Sequence, residues 1–337
     1  MAQTTTNFQP LIEKFDQLTP SMQKIQRYKQ KPLKWFYNAF VPKNRRKLAE
    51  KQAKLTQQAH LAECWQELIG LYRQNKLPHF TITPKKQFTH QKIIWQYWGQ
   101  GVNGDLPDIV KLCFKSVDKY KGDYQVIRLD DDNLSDYLEF PDFVFEKRQN
   151  PQFKPAFFAD ILRLALLYHY GGVWVDATIL LTAPIDERIL AQDFFMFSRH
   201  PNAGNQDFWE NFNADYFGWH KHHYVNILNS FIVAKQGNNL AYDSLQLMLN
   251  FWHTQNHITH YFFFQIMFDV LTERGTMPVM LPMDDTLPHL LISRLNEPFN
   301  QHDFEQICKQ TQIHKLTYIK ECKKGSYYDH IRQSLNP

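Results

Sequence analysis

Positions 156–170, AFFADILRLALLYHY, are apolar almost all round a helical circumference, and neither Gly nor Pro interrupts them. That is the pattern of a helix buried inside an α/β domain rather than one lying on its surface. Asp160 and Arg163 break the run three residues apart, so they share a helical face and can pair or reach one ligand together. Gly171 and Gly172 are predicted to stop the helix, because glycine tolerates the left-handed backbone of a helix C-terminus. Val173, Trp174 and Val175 then read as a short buried strand. Asp176 falls where that strand ends, and the carboxyl edge of an α/β sheet is where such sheets bind ligands.

The same periodicities organise the rest of the chain. Residues 47–72 carry Leu, Ala, Trp and Ile at helical spacing, uninterrupted until Gly70, and predict the main helix of an N-terminal extension. Pro78, Pro84, Lys85 and Lys86 mark its junction with the main domain, giving a helical, basic unit over 1–84 and an α/β domain over 85–337. Segments 92–98 and 124–129 read as strands on either side of a helix at 107–120, the opening of a nucleotide-binding α/β half. The glycine-bearing loop after the first strand matches neither GxGxxG nor a P-loop, so dinucleotide and ATP chemistry are not inferred. Asp130, Asp131 and Asp132 are read as the acidic start of a helix rather than as a metal site, since consecutive side chains diverge. Further strands are predicted at 178–181 and 194–198, and further helices at 240–253 and 261–273. Residues 200–224, rich in Asn, His and aromatics, are expected to form a loop.

With 337 residues, 43% of them hydrophobic and 21% charged, the chain can bury a large core. Cys64, Cys113, Cys308 and Cys322 lack metal-ligand spacing, so a reduced, cytoplasmic protein is expected. No run of eighteen apolar residues suggests a membrane span, and MAQTTTNFQP lacks the build of a signal peptide. The net charge of +4 is mild but uneven. Between positions 24 and 54 Lys and Arg crowd together with Glu50 as the only acid, and Trp35, Phe36, Tyr37 and Phe40 lie among them. This mixture fits an anionic membrane surface, where each basic residue contributes about 1 kcal/mol. It fits equally a solvated helical face with ordinary core aromatics. Nucleic acid is disfavoured, because no recognised motif accompanies the charge.

The segments ADILR, LLYHYGG and VWVDAT, followed near the end by Ile313-His314-Lys315-Leu316-Thr317-Tyr318, resemble the capsular polysaccharide synthesis glycosyltransferases. More distantly they resemble fungal initiating mannosyltransferases and glucosylating clostridial toxins. The resemblance spans about 92–319. It implies a GT-A-like nucleotide-sugar-binding domain with a mixed, mainly parallel sheet, and transfer of a hexose or N-acetylhexosamine from a UDP-sugar to a capsular or lipooligosaccharide glycan, with retention of configuration. The acceptor would be a glycan or lipid-linked glycan, and the enzyme cytoplasmic, at the inner face of the membrane. A catalytically silent glycan-binding or assembly subunit of the same fold is the alternative.

By this resemblance Asp176, Asp160 and Arg163 are the catalytic candidates, and Trp98, Gly172, Trp174, Asn229, His314 and Lys315 the nucleotide-sugar contacts. Trp98 would stack on the base, a contact worth roughly 1 to 3 kcal/mol. Mn²⁺ or Mg²⁺ would be held by Asp176, Thr178 and His314, which with Lys315 would neutralise the diphosphate. The second acid of a DXD motif is Thr178 here, which makes metal dependence an open expectation. Lys154 is a further phosphate candidate. Trp209, Tyr216 and Trp219, with Gln265 or Asp269, are candidates for the acceptor side. His220, His222 and His223 have no recognised ligand spacing.

Overall fold

The structure is a computed structural model and describes residues 9–273, 281–319 and 321–335. Residues 1–8, which hold most of the N-terminal segment read above for a signal peptide, lie outside them. Helices Gln9–Asp16, Pro20–Lys29, Leu33–Phe40 and Lys43–Arg73 come first. The last contains the predicted 47–72 helix and buries Leu61, Trp65, Leu68 and Ile69 in the same core cluster as the sheet. Trp65 meets Phe15 edge-on and Phe251 at a tilt, both with centroids 5.1 Å away. Apolar burial thus runs without a break across the junction near residue 84.

The strands are β1 (Thr83–Pro84), β2 (Ile93–Tyr97), β3 (Gln125–Leu129), β4 (Leu138–Glu139), β5 (Gly172–Val175), β6 (Ile179–Leu181), β7 (Phe194–Ser198), β8 (Ile227–Ala234) and β9 (Ile313–Lys315). The main sheet has the order β3-β2-β5-β8-β7. β2 runs parallel to β3 and β5, whereas β8 is antiparallel to β5 and β7. The expected mixed sheet is present, with its parallel pairings confined to one half. β1 pairs with β4 and β6 with β9, both antiparallel.

The helix Pro155–Tyr170 packs against the helix Asn239–Thr254 and against the sheet, and is buried over most of its length. Each fully buried Leu, Ile or Phe in it contributes roughly 1.5 to 3 kcal/mol. Gly171 and Gly172 end it at φ 68° and 101°. A Cβ on Gly172 would lie 2.4 Å from the Ile93 carbonyl oxygen, so β5 approaches β2 as it does only because that side chain is absent. Trp95 Nε1 donates to the Gly171 carbonyl at 2.9 Å and ties the turn to β2. Asp130 accepts from the backbone N–H groups of Asp132 and Asn133 at 3.2 and 3.1 Å, just before the 3₁₀ turn Leu134–Asp136, as the capping reading requires. Residues 200–224 are less irregular than expected, for they contain the helix Gln206–Phe212. Among the described residues no helix is long and apolar enough to cross a membrane, and all four cysteines are free.

Candidate functional site

β5 delivers Asp176 to the floor of a cleft of about 340 Å³, where the central helix, β8, the helix Phe263–Leu271 and β9 converge. Asp176 Oδ1 accepts from Trp174 Nε1 at 2.7 Å and lies 3.5 Å from Arg163 Nη2. Its Oδ2 accepts from Lys315 Nζ at 3.3 Å, and the same ammonium donates to Thr178 Oγ1 at 2.6 Å. Arg163 Nη2 lies 3.3 Å from Asp160 Oδ1, and Asn229 Nδ2 donates to that oxygen at 2.8 Å. Asn229 Oδ1 in turn accepts from Gln265 Nε2 at 3.0 Å. An unbroken polar row therefore runs Lys315, Asp176, Arg163, Asp160, Asn229, Gln265 across five elements.

The row is locked from behind. The Arg163 guanidinium lies 5.1 Å over the Trp174 ring, its Nε donates to the Ala159 carbonyl at 2.9 Å, and a further N–H reaches the Asn229 carbonyl. Burial pushes the Asp160 carboxyl up to about 7, against the opposing pull of Arg163 and helped by the neighbouring charge of Asp176. Ser230 also lines the cleft, and its buried hydroxyl has no hydrogen-bond partner, an unmet valence that a polar ligand would satisfy. Phe157, Phe212, Tyr216 and Tyr261 supply an aromatic wall. Of these only Tyr216 was singled out from sequence; Tyr261 is 58% exposed at the mouth and carries no local motif.

Several expected contacts lie elsewhere. His314 is fully buried with its Nε2 on Thr182 Oγ1 at 3.0 Å, and burial pushes it down to about 3. Side chains alternate along a strand, so Lys315 faces the cleft and its neighbour His314 faces away. Gly172 stands at the opposite end of β5 from Asp176, and its role is the close approach to β2. Trp174 is buried, and its indole orients Asp176 rather than offering a face to a nucleotide. Trp98 is half-buried against the second core cluster, which contains Ala177 and Leu316, and is not among the residues lining the cleft. Lys154, at the exposed N-terminus of the central helix, is also outside it. Trp209 is buried in the core. Trp219 and Asp269 line a neighbouring cavity of about 470 Å³ instead.

The donor set does not fit a divalent ion. Both oxygens of Asp176 are engaged by N–H groups, Thr178 is engaged by Lys315, and His314 points the other way. Among the described residues no three His, Cys, Asp or Glu side chains are grouped to hold a metal, the 220–223 histidines included.

A mixed α/β protein with a ligand-sized cleft at the end of its central strands, floored by alternating acids and bases, is the class that fold and site define. The chain belongs to the capsular polysaccharide synthesis protein family, whose profile matches residues 44–331. No curated protein matches it. Among solved structures, six chains match. One, titled "PaToxG Glycosyltransferase", is 14% identical, with 80% of this chain and 95% of that one covered and a TM-score of 0.32.

Proposed function

We propose that the chain is a glycosyltransferase that moves a hexose or N-acetylhexosamine from a UDP-sugar to a growing capsular or lipooligosaccharide glycan, free or lipid-linked, on the cytoplasmic side of the membrane. Family membership supports the glycan context. The observation that carries the reaction is the Lys315–Asp176–Arg163–Asp160 row in the cleft. Breaking the bond between a sugar and a diphosphate builds negative charge on the departing phosphate and positive charge on the sugar ring. Preorganised charges of opposite sign at those two places lower the barrier.

In this reading Lys315, with Arg163 behind it, neutralises the departing diphosphate, and the cation that a metal would supply comes from the chain itself. Asp176, oriented by the Trp174 indole, faces the developing oxocarbenium ion. Asp160 and Asn229 hold Arg163 in place, and Asn229 and Gln265 bound the sugar pocket. Asp160 is tied by Arg163 and Asn229 and its ionisation is opposed by burial, so it makes a poor nucleophile. A same-face displacement with retention is therefore favoured over a two-carboxylate double displacement. The acceptor oxygen bonds to the anomeric carbon on the side from which phosphate leaves, and its proton passes to the leaving phosphate oxygen.

The test is donor hydrolysis with a panel of UDP-, GDP- and CMP-sugars, with and without EDTA. An active transferase hydrolyses one donor slowly, and Asp176→Asn abolishes this. Absence of hydrolysis and of donor-induced thermal stabilisation across the whole panel would favour the silent-subunit alternative.

A further inference from the structure

The helix Leu33–Phe40 buries none of its residues. Trp35, Phe36 and Phe40 stand 67%, 49% and 75% exposed. Phe36 and Phe40 stack with centroids 6.3 Å apart, and Trp35 packs edge-on against Phe36 at 4.9 Å, so the three rings form one continuous apolar ridge. Contiguous apolar surface rimmed by polar residues marks a site of interaction rather than chance exposure.

The rim is of one sign. Lys31, Lys34, Lys43, Arg45 and Lys47 are exposed and have no carboxylate partner among the described residues. Glu50, the only acid between 24 and 54, is already taken by Lys29 at 3.0 Å. Beside the ridge an open cavity of about 870 Å³ has Lys24 and Arg45 among its lining residues. A partner must therefore be apolar at its centre and anionic around it. Nucleic acid offers phosphates without an apolar layer, and a second copy of this chain would set uncompensated cations against one another. The boundary between acyl chains and lipid phosphates matches both requirements.

We propose that Leu33–Phe40 is a docking wedge that places Trp35, Phe36 and Phe40 at the headgroup level of an anionic bilayer, with the surrounding lysines and arginines on lipid phosphates. The wedge is coupled to the cleft. The helix Lys43–Arg73 that follows it forms ion pairs from Lys51 to Glu210 and from Lys54 to Asp215, and its Gln58 accepts from the Tyr224 backbone N–H at 2.9 Å. The segment between those contacts supplies Phe212, Asn213, Tyr216 and Phe217 to the cleft wall. Where the transfer reaction proposed above holds, docking brings that wall to a glycan carried on a membrane lipid.

The experiment floats the full chain with vesicles of phosphatidylglycerol and phosphatidylcholine, and with phosphatidylcholine alone. Binding is expected only with the anionic vesicles and should fall about fivefold for each of Lys31→Gln and Lys34→Gln. It should fall at least about tenfold for the Trp35→Ser/Phe36→Ser/Phe40→Ser variant. Brominated lipid should quench a fluorescence component that Trp35→Phe lacks. Equal binding to neutral vesicles, no binding at all, or a triple variant that binds to within about twofold of the parent overturns the proposal. So does a dimer in solution that the triple variant converts to monomer. Vesicle binding needs no donor, so its failure is distinct from failure of the transferase reading, which hydrolysis in solution reports alone.

Discussion

Replacing Lys315 with Met keeps the length of the side chain while deleting its charge, and so isolates the cation that the cleft sets beside Asp176. In the resting protein the ammonium is 3.3 Å from Asp176 Oδ2 and 2.6 Å from Thr178 Oγ1, with both ends of the ion pair about a quarter exposed. A pair this open to solvent adds no more than about 1 kcal/mol to stability, so the variant should fold. Catalysis should suffer far more. At an effective dielectric near 20, unit charges about 4 Å apart interact by about 4 kcal/mol. If half a charge develops on the departing phosphate, the transition state gains about 2 kcal/mol over the ground state from this one group. Deletion of a preorganised donor in other active sites costs about 100- to 1,000-fold in kcat. Lys315→Met is therefore expected to lower kcat between about 30- and 1,000-fold with a smaller change in KM. EDTA should leave the parent rate unchanged, and Mn²⁺ should not rescue the variant. The assay is continuous release of nucleoside diphosphate under saturating donor. Abolition of the parent activity by EDTA, or a variant within about threefold of the parent, refutes the assignment of leaving-group stabilisation to Lys315.

Three further outcomes follow from the geometry. Trp174→Phe removes the indole N–H from Asp176 Oδ1 and should cost about tenfold or more in kcat, with the unfolding midpoint showing whether the loss is catalytic or structural. Gly172→Ala would force a Cβ to 2.4 Å from the Ile93 carbonyl at φ 101°, and should destabilise the fold by at least about 2 kcal/mol in urea denaturation. For Asp160, the folded carboxyl is raised to about 7 by burial, so the native state binds a proton that the unfolded chain releases near pH 4. Its contribution to stability is present at low pH and is lost as pH rises through that window, on the order of a few kcal/mol in all. Asp160→Asn should flatten the fall in urea midpoint between pH 5 and pH 8; an identical slope in both proteins would show that another group is responsible.

The central helix, the glycine turn, the strand after it and the position of Asp176 were all legible in the sequence. Each depends on periodicity or glycine chemistry within a few residues, and the observed elements fall within a residue or two of the expected ones. The Asp160–Arg163 pair was legible for the same reason, since three residues along a helix fix a shared face. The period of two in Ile313–Lys315 also implied that His314 and Lys315 cannot both enter one cleft, but nothing local said which faced inward. Only the antiparallel pairing of β9 with β6, which sets Lys315 opposite Ile179, decides it.

What the sequence determined by itself is thus the inventory of elements and the family, because backbone propensity and hydrophobic periodicity act over a turn of helix or a pair of strand residues. What only the tertiary structure decided is the company each polar group keeps. Asp176 meets Lys315 across 139 positions of chain, and Asn229 meets Asp160 across 69. Trp174 became the support of a carboxylate and Trp98 fell outside the cavity, because burial in a shared core is settled by how distant segments pack and not by the residues beside them. The same packing left the ridge of Trp35, Phe36 and Phe40 without a partner inside the fold, a fact that composition alone could not separate from an ordinary core.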